Sequence, residues 1–259
     1  MSIRKLSFFT TSILLALLGW FLLARLGNIP AFMLPPPEMV WARFVAALQD
    51  GSLVRNGLST LEKIVLGLVS GVGAATLLGY LLAKSPLLER LLTPFIVASQ
   101  SIPVVAIAPL LIIWFGSGMI SKVLICALIV FFPVLINTIV GLRAVPDNLR
   151  QLMRVLRATR WQTFRLLEVP AALPVFLGGL RIGATLSVIG AVVGEFMAPD
   201  RGLGRIINEA RGRYDTALVF VAVFTLVAMA LVLYGLVALA ERRLLWWQRR
   251  AESDQTIKE

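Results

Sequence analysis

Few residues in this chain are of a type that could carry out chemistry. The 259 residues include no histidine and a single cysteine, Cys126, which excludes histidine-based metal sites, Ser-His-Asp triads and a disulfide scaffold. No phosphate loop of the form G-x-x-x-x-G-K-S/T occurs, so nucleotide binding of that kind is not expected. The 14 Asp and Glu form no evident pair for acid–base catalysis. We therefore expect no catalytic residue, no metal and no enzymatic activity.

Two charged residues fall inside long apolar runs. Arg181 and Glu195 are 14 positions apart, roughly 21 Å along one helix, so they cannot pair with each other within that helix. A charge inside a membrane span is costly and is a candidate for function. The favoured alternative is a structural role through hydrogen bonds to neighbouring helices. So few ionisable groups at depth argue against a proton relay.

The composition predicts a membrane protein. Hydrophobic residues make up 58% of the chain and charged residues 15%, and a soluble domain of this length cannot bury so much apolar surface. At roughly 20 residues per spanning helix, the length allows about six or seven crossings. The net charge of +11 is compatible with a nucleic-acid partner. However, the basic residues flank apolar runs, which favours contact with anionic membrane lipid and no nucleic acid.

Six apolar runs are long enough to cross a bilayer. They cover residues 8–26, 58–83, 91–114, 123–142, 171–197 and 216–240. Basic residues are more numerous in the segments that lie inside when the N-terminus is inside, so both termini are predicted to be cytoplasmic. This assignment counts Lys63 and Lys122 with the outer segments. The predicted organisation is a first span with an outer amphipathic segment (1–57), a core (58–247) that contains a long inner loop (143–170), and a polar cytoplasmic tail (248–259).

The outer segment 27–57 is predicted to contain a short helix after the three prolines 35–37. Proline suits the first turn of a helix, and the acidic Glu38 suits its N-terminus. Apolar residues recur on one face at helical spacing: Val40, Trp41, Phe44, Val45 and Leu48. The helix either lies on the outer membrane surface or packs under the bundle.

The inner segment 143–170 is longer than a connector between two spans needs to be. It carries six arginines together with apolar residues at helical spacing. Those apolar residues are Leu149, Leu152, Met153 and Leu156, followed by Trp161, Phe164, Leu166 and Leu167. This pattern predicts a pair of basic amphipathic helices at the cytoplasmic surface, serving either as a lipid anchor or as a docking surface for a soluble partner.

Small residues recur every four positions in the second and fifth apolar runs. They are Gly67, Gly71, Ala75 and Gly79 in one, and Gly179, Gly183, Ser187 and Ala191 in the other. Such stripes allow helix backbones to approach closely in lipid. Packing within the chain is the favoured interpretation, and a contact between chains is the alternative.

Prolines interrupt two adjacent runs, with Pro103 and Pro109 in the third and Pro133 in the fourth. Proline bends a helix, and bent helices at membrane depth favour a translocation path over a passive anchor. The candidate path residues are the polar ones beside these prolines: Ser99, Gln100, Ser101, Asn137 and Thr138. Hydrogen bonding between helices is the alternative role for these side chains.

The segment 143–170 resembles the cytoplasmic loop of permease subunits of binding-protein-dependent ABC importers. The family pattern is E-A-A, three residues, Gly, nine residues and I-x-L-P. In this chain the same spacing is filled by Gln151-Leu152-Met153, Arg157 and Leu167-Glu168-Val169-Pro170. Further stretches look like signatures of the nitrate, sulfonate and taurine permease group, and they extend the resemblance to about 34–247. Those stretches are 101–116, 131–138, 160–164, 170–174, 179–181 and 202–204.

The resemblance implies a type I importer permease with six transmembrane helices in the cell inner (plasma) membrane. It also implies a second permease chain (a homodimer slightly favoured over a heterodimer), cytoplasmic ATPase subunits that bind ATP, and an external solute-binding protein. The residues implied to couple to the ATPase are Gln151, Leu152, Met153, Leu156, Arg157, Leu167, Val169 and Pro170. The implied cargo is a small solute such as nitrate, bicarbonate, a sulfonate or taurine, a thiamine-pyrimidine precursor or a flavin.

Only Pro170 is identical to the family pattern, and Leu167 and Val169 are conservative replacements, whereas the four positions of the first half differ. Two of those four departures have a physical consequence. Glycine permits a sharp turn, so Arg157 at that position must adopt a different turn or a strained backbone. Gln151 lacks the acidic charge found in the pattern. Either the ATPase partner is adapted to these changes, or this chain works beside a second, more typical permease.

Two other classes of protein stay open. A stand-alone secondary carrier or channel should show inverted repeats, and none is detected. A membrane scaffold or lipid-dependent enzyme would need a polar catalytic cluster, which this composition makes hard to assemble.

Overall fold

The chain is helical in the computed structural model, which describes residues 3–27 and 29–246, and no strand occurs in that part. The elements are α1 (Ile3–Leu26), α2 (Pro37–Gln49), α3 (Ser52–Lys84), α4 (Pro86–Gln100), α5 (Val104–Phe115), α6 (Met119–Arg143), α7 (Asp147–Val155), α8 (Arg160–Thr163), a π-helical segment (Phe164–Glu168), α9 (Val169–Met197), α10 (Leu203–Gly212) and α11 (Thr216–Leu244). The predicted tail 248–259 lies outside the described residues.

Four helical stretches are long and apolar enough to cross a membrane: α3, α6, the continuous stretch Arg160–Met197, and α11. The pair α4 and α5 makes a fifth if it counts as one bent span. In α1 the described apolar stretch, Leu14–Leu26, is shorter than a spanning helix. The all-α, multi-pass prediction is confirmed, and four or five of the six predicted spans are accounted for.

The third predicted span, 91–114, is bent, as its prolines predict. Helices α4 and α5 meet at a bend of 99°, with the break between Gln100 and Val104. Pro103 precedes the first residue of α5 with φ −60° and ψ 124°, and a residue before proline is itself pushed out of the helical region. Pro109 and Pro133, by contrast, lie inside α5 and α6 without ending either helix.

The chain divides into two compact units, residues 61–198 with 228–259, and residues 1–60 with 199–227. In the first of these, α6 lies between the small-residue stripes of α3 and α9. A Cβ at Gly71 would lie 2.7 Å from the carbonyl oxygen of Ala127, and one at Gly190 would lie 2.7 Å from Cys126 Cα. The backbones approach this closely only because no side chain intervenes. The prediction that the stripes pack within the chain is confirmed.

The other unit is built around α2, α10 and the adjoining ends of α1, α3 and α11. Helix α2 begins at Pro37 as predicted, with Val40 and Ala47 buried and Trp41 exposed. Glu38 forms an ion pair with Arg25 at 2.5 Å. A hydrogen bond at its own backbone and then the one from Arg25 hold the pKa of Glu38 below its ordinary value. Helix α10 is joined to α3 because Thr60 Oγ1 accepts from the Leu203 N–H at 2.8 Å.

We expect Gly190→Ala to lower the free energy of unfolding by about 1–3 kcal/mol, because the added methyl forces α9 away from α6. The measurement is reversible denaturation in mixed micelles. Gly178→Ala on the same helix is the matched control, since a Cβ there meets nothing within 4 Å. Equal losses in the two variants would contradict the packing account.

Candidate coupling surface and transport path

Helix α7 ends in a Schellman turn. The Ala158 N–H donates to Met153 O at 2.9 Å, and the Arg157 N–H donates to Arg154 O at 3.0 Å, the two bonds that define this motif. Arg157 occupies its left-handed position, with φ +50°, a conformation that glycine adopts without steric cost. Of the two outcomes expected for Arg157, the strained backbone is therefore the one observed.

A capping box starts the next helix. Thr159 Oγ1 accepts from the Gln162 N–H at 3.2 Å, and Gln162 Oε1 accepts from the Thr159 N–H at 2.8 Å. The chain then passes through α8 and the π-helical segment directly into α9. The prediction of two helices in 143–170 is confirmed, and the second of them is continuous with a span.

Helix α7 and its turn expose apolar side chains. Val155 is 79% exposed, Leu156 66% and Leu152 51%. The exposed side chains of Arg154 and Arg157 lie among them in the chain. We call this set the α7 surface: Leu149, Leu152, Val155, Leu156, Arg154 and Arg157. Exposed apolar side chains with cations beside them are suited to an apolar groove with an acidic rim.

The remaining residues of the motif differ in exposure. Gln151 is exposed beside the α7 surface, whereas Met153 is half-buried. Leu167 in the π-helical segment and Pro170 at the start of α9 are half-buried, and Val169 between them is exposed. The structure thus places the first half of the motif outward and partly buries the second half against the helices.

Three polar contacts connect the segment 143–170 and the adjoining helix ends to the spanning helices. Arg150 Nη2 donates to Leu142 O at 2.8 Å, joining α7 to the end of α6. Glu168 in the π-helical segment is buried and forms an ion pair with Lys84 at the end of α3. Arg143 at the end of α6 pairs with Glu89 of α4. Glu168 was not singled out in the sequence, although its place in the family pattern next to Pro170 could have drawn attention to it.

The five candidate path residues fall into two groups. Ser99, Gln100 and Ser101 are exposed at the bend between α4 and α5. Ser99 Oγ and Ser101 Oγ donate back to carbonyls one turn earlier. Beside the bend lies an apolar cavity of about 370 Å³. Its lining residues include Phe95, Ser99, Ile102, Phe131 and Phe132.

Asn137 and Thr138 lie at helix interfaces of α6. Thr138 is buried, donates to Val134 O at 2.7 Å, and faces Gly79 of α3. Asn137 Nδ2 donates to Pro133 O at 2.8 Å, and its side chain packs at Gly179 of α9. These two residues thus contact α9 and α3, whereas the serine and glutamine side chains at the bend are exposed.

Glu195 is fully buried and forms an ion pair with Lys63 of α3, Oε1 to Nζ at 2.9 Å, with Lys63 2% exposed. Lys122 of α6 is also buried, and its side chain packs where Gly194 leaves room. Sequence reasoning placed both lysines in outer segments, whereas they lie within the helix packing. Lys63 falls inside the predicted apolar run 58–83, which was the available signal.

Arg181 is the second intramembrane charge. It forms an ion pair with Glu241 of α11, and its guanidinium lies 5.1 Å from the Tyr234 ring centroid. Arg181 and Glu195 each pair with a residue of another helix, which fits a structural role. In the described part of the chain, no three His, Cys, Asp or Glu side chains are grouped so as to hold a metal ion.

Comparison with known proteins gives a family match over most of the chain. Residues 67–246 match the family described as "Binding-protein-dependent transport system inner membrane component". The riboflavin transport system permease protein RibX of Chloroflexus aurantiacus is 48% identical over 92% of this chain and 88% of its own length. The formylaminopyrimidine transport permease protein ThiX of Halalkalibacterium halodurans is 34% identical over 93% of this chain and 96% of its own. The taurine transport system permease protein TauC of Escherichia coli is 33% identical over 93% of this chain and 89% of its own length.

A solved structure shares the fold at low sequence identity. The MetNI methionine ABC transporter, in inward-facing conformations, has a chain that matches with a TM-score of 0.67 at 20% identity. The match covers 76% of this chain and 97% of that one.

We expect Lys63→Met to lower the free energy of unfolding by about 3–5 kcal/mol, because it leaves a buried carboxylate without this partner. The double variant Lys63→Met/Glu195→Leu should lose less than the sum of the two single variants. Denaturation in mixed micelles measures all three. Additive losses would show that the two side chains do not interact.

We expect Arg157→Gly to raise the melting temperature, since it relieves a left-handed conformation that costs about 1–2 kcal/mol. The control is Arg154→Gly in the last turn of α7, which should lower it because glycine is a poor helix former. A shift of both variants in the same direction would be inconsistent with strain at Arg157.

Proposed function

Because this chain belongs to the family of binding-protein-dependent transport system inner membrane components, we propose that its segment 143–170 is the contact through which separate ATPase subunits drive it. The chain is a transmembrane permease subunit of an ABC importer. It is a multi-pass membrane protein whose work is transport rather than catalysis. ATP is bound by the partner, and the permease needs no cofactor of its own.

The α7 surface carries the proposal of ATPase docking. It exposes Val155, Leu156 and Leu152, although a cytoplasmic loop has no membrane to cover them. Leu and Val side chains at i, i+3 and i+4 on a short helix fit an apolar groove. The adjacent arginines set the orientation of docking through charge.

Movement of the docked segment reaches the spans through the contacts at its two ends. Arg150 joins α7 to α6 at Leu142 O, and Glu168 joins the start of α9 to α3 at Lys84. A displacement of α7 is thereby delivered to α3, α6 and α9, which pack on one another. The ATPase cycle then switches the access of the transport path from one side to the other.

The assembly that fits this role has two permease chains, each with six spans and with both termini in the cytoplasm. Helix α1 supplies the first span, and the bent pair α4 and α5 supplies the third. It lies in the cell inner membrane, with an external solute-binding protein on the opposite side from α7. The excess of basic residues in the inner segments supports this orientation. A homodimer needs only one kind of permease chain, so it is favoured over a heterodimer.

A flavin-class solute is the first cargo to test. The 48% identity to a permease named for riboflavin exceeds the 33–34% to those named for formylaminopyrimidine and taurine. The bend between α4 and α5 also adjoins a cavity lined by Phe95, Phe131 and Phe132, which suits an aromatic heterocycle better than an inorganic anion. Exposed Ser99, Gln100 and Ser101 supply hydrogen-bonding groups beside it.

The proposal is tested with Leu156→Glu, which places a carboxylate in the apolar part of the α7 surface. We expect recovery of the ATPase subunit with the tagged permease to fall at least about tenfold, because the charge must be desolvated on docking. Asn148→Glu is the matched control, since it adds the same charge to the same helix at an exposed position outside the apolar set and the motif, and it should retain the ATPase. Membrane insertion of both variants is checked by yield and melting temperature.

Two outcomes would contradict the proposal. One is full ATPase recovery and ATP-driven uptake with Leu156→Glu. The other is uptake by the wild-type permease alone in liposomes without ATPase or nucleotide, which would identify a stand-alone carrier.

A further inference from the structure

An open groove lies beside α3, within the unit of residues 61–198 and 228–259. It has a volume of about 820 Å³, inside the range of roughly 300–1,000 Å³ that small-molecule sites occupy. One wall is the second half of α3, and the other is the segment that leads through α8 towards α9. We call it the aromatic groove, and it is lined by Gly73, Thr76, Leu77, Tyr80, Arg160, Trp161 and Phe164. The proposed coupling gives this groove no role.

Three aromatic rings join the two walls of the aromatic groove. The Phe164 ring packs edge-on against Tyr80 of α3 with the centroids 5.4 Å apart, and it stacks on Trp161 at the same distance. Trp161 is nonetheless 66% exposed. Tryptophan and tyrosine are enriched where a membrane meets water, because each has an apolar ring and a polar group. The rings therefore indicate that this end of the groove lies at the level of the lipid headgroups.

The other end of the aromatic groove lies deeper in the membrane. Gly73 and Leu77 precede Lys84, the last residue of α3, by 11 and 7 positions, which is roughly 16 and 10 Å along the helix. The hydrocarbon core is about 30 Å thick, so the groove reaches about halfway across it. Leu77 is 65% exposed, and a Cβ at Gly73 would meet nothing within 4 Å. The groove thus has the depth of one lipid leaflet and room for an acyl chain beside Gly73.

An arginine without an ion pair stands at the headgroup end. Arg160, the first residue of α8, is exposed and has no carboxylate partner in the part of the chain that the structure describes. Lys84, by contrast, pairs with Glu168, and its Nζ lies 5.5 Å from the Tyr80 ring centroid. A guanidinium presents a planar fork of donors that matches a phosphate group. Arg160 is therefore placed to bind the phosphate of a lipid whose tail lies in the groove.

Charge favours a lipid over a second copy of this chain as the occupant. The chain carries a net charge of +11, and Arg154, Arg157 and Arg165 are exposed in the same segment as Arg160. A second copy would bring more positive charge towards these arginines, whereas an anionic headgroup brings the opposite sign. Basic residues beside a span on the cytoplasmic side bind such headgroups.

We propose that the aromatic groove binds one anionic phospholipid of the inner leaflet. Its phosphate lies on Arg160, its glycerol region at the rings of Trp161 and Tyr80, and one acyl chain along Leu77 and Gly73. The choice of leaflet rests on the proposed function, which places α8 on the cytoplasmic side. The bound lipid holds α8 against α3 and so supports the chain between the α7 surface and α9.

The test uses the assembled transporter in nanodiscs that contain lipids with brominated acyl chains, which quench tryptophan fluorescence on contact. The part of the quenching that Trp161→Phe removes reports lipid in the aromatic groove. Mixtures in which either phosphatidylglycerol or phosphatidylcholine is brominated give the relative affinity of the two lipids at this site. Phosphatidylglycerol is expected to bind there about fivefold more tightly than phosphatidylcholine.

Variants of two arginines test the headgroup contact, each compared with its own Trp161→Phe partner. Arg160→Gln should remove the preference for phosphatidylglycerol. Arg160→Lys should keep part of it, because lysine retains the charge but not the planar fork. Arg165→Gln is the matched control, since it removes the same charge from an exposed position outside the groove. It should keep the preference within about twofold of the wild type.

A second pair of variants tests the acyl-chain contact. Gly73→Leu should weaken the binding of both lipids at least about fivefold, because the leucine takes the space of the chain. Ala74→Leu adds a similar volume at the next position, which is exposed and outside the groove, and it should bind both lipids like the wild type. Melting temperatures of the two variants check that both are folded.

Four results would overturn the proposal. They are equal binding of the two lipids at Trp161 in the wild type, an unchanged preference in Arg160→Gln, an equal loss in Arg165→Gln, and wild-type binding by Gly73→Leu. Near-complete disulfide cross-linking of Leu77→Cys between two permease chains, absent from the wild type, would also overturn it by assigning the groove to a second copy. Failure of the proposed function is distinguishable, because it would remove ATPase recovery and ATP-driven uptake in the wild type, and quenching at Trp161 requires neither.

Discussion

The close approach of α6 to α3 and α9 is the constraint on which the unit of residues 61–198 and 228–259 depends. Lipid tails are as apolar as leucine, so burial of apolar side chains gives no net drive for helices to associate in a bilayer. Association must come from contact between backbones, which the absence of a side chain at Gly71 of α3 and at Gly190 of α9 permits. A methyl group at either position would collide with backbone atoms of α6. The three helices therefore form a tightly packed body whose ends have fixed positions.

Ion pairs join α3 and α9 near both of their ends. Lys63 pairs with Glu195 toward the start of α3, and Lys84 pairs with Glu168 at its end. The two helices must run antiparallel for both pairs to form. Lys63 and Lys84 are roughly 32 Å apart along α3, close to the thickness of the hydrocarbon core. The Lys63–Glu195 pair is shielded from water. Lys84 is 45% exposed, so the Lys84–Glu168 pair is more weakly held. The less constrained pair lies on the side of α7, where the proposed driving movement enters.

Periodicity and spacing were sufficient to predict most helices, because each leaves a signal along the chain. The stripes of small residues, the start of α2 at Pro37 and the two helices of 143–170 are of this kind. The angle of 99° at Pro103 was not predictable, since proline marks where a helix breaks but not the direction of the following helix. Lys63 and Lys122 were misplaced because a positive charge near the end of an apolar run has the same appearance whether it faces water or a buried carboxylate.

The turn at Arg157 shows that the shape of the segment 143–170 does not depend on the residue types of the motif. Four of the motif positions hold unexpected residues, yet the Schellman bonds at Met153 and Arg154 form, and the chain reverses where a glycine would allow it. The strain at one residue, about 1–2 kcal/mol, is offset by contacts on either side of the turn. Arg150 holds α7 to α6, and the capping box at Thr159 fixes the start of the next helix. The nine-residue spacing to Leu167 then brings the chain to α9 in register. A partner that reads the shape and the exposed leucines of this surface can therefore engage it without the acidic residue or the glycine.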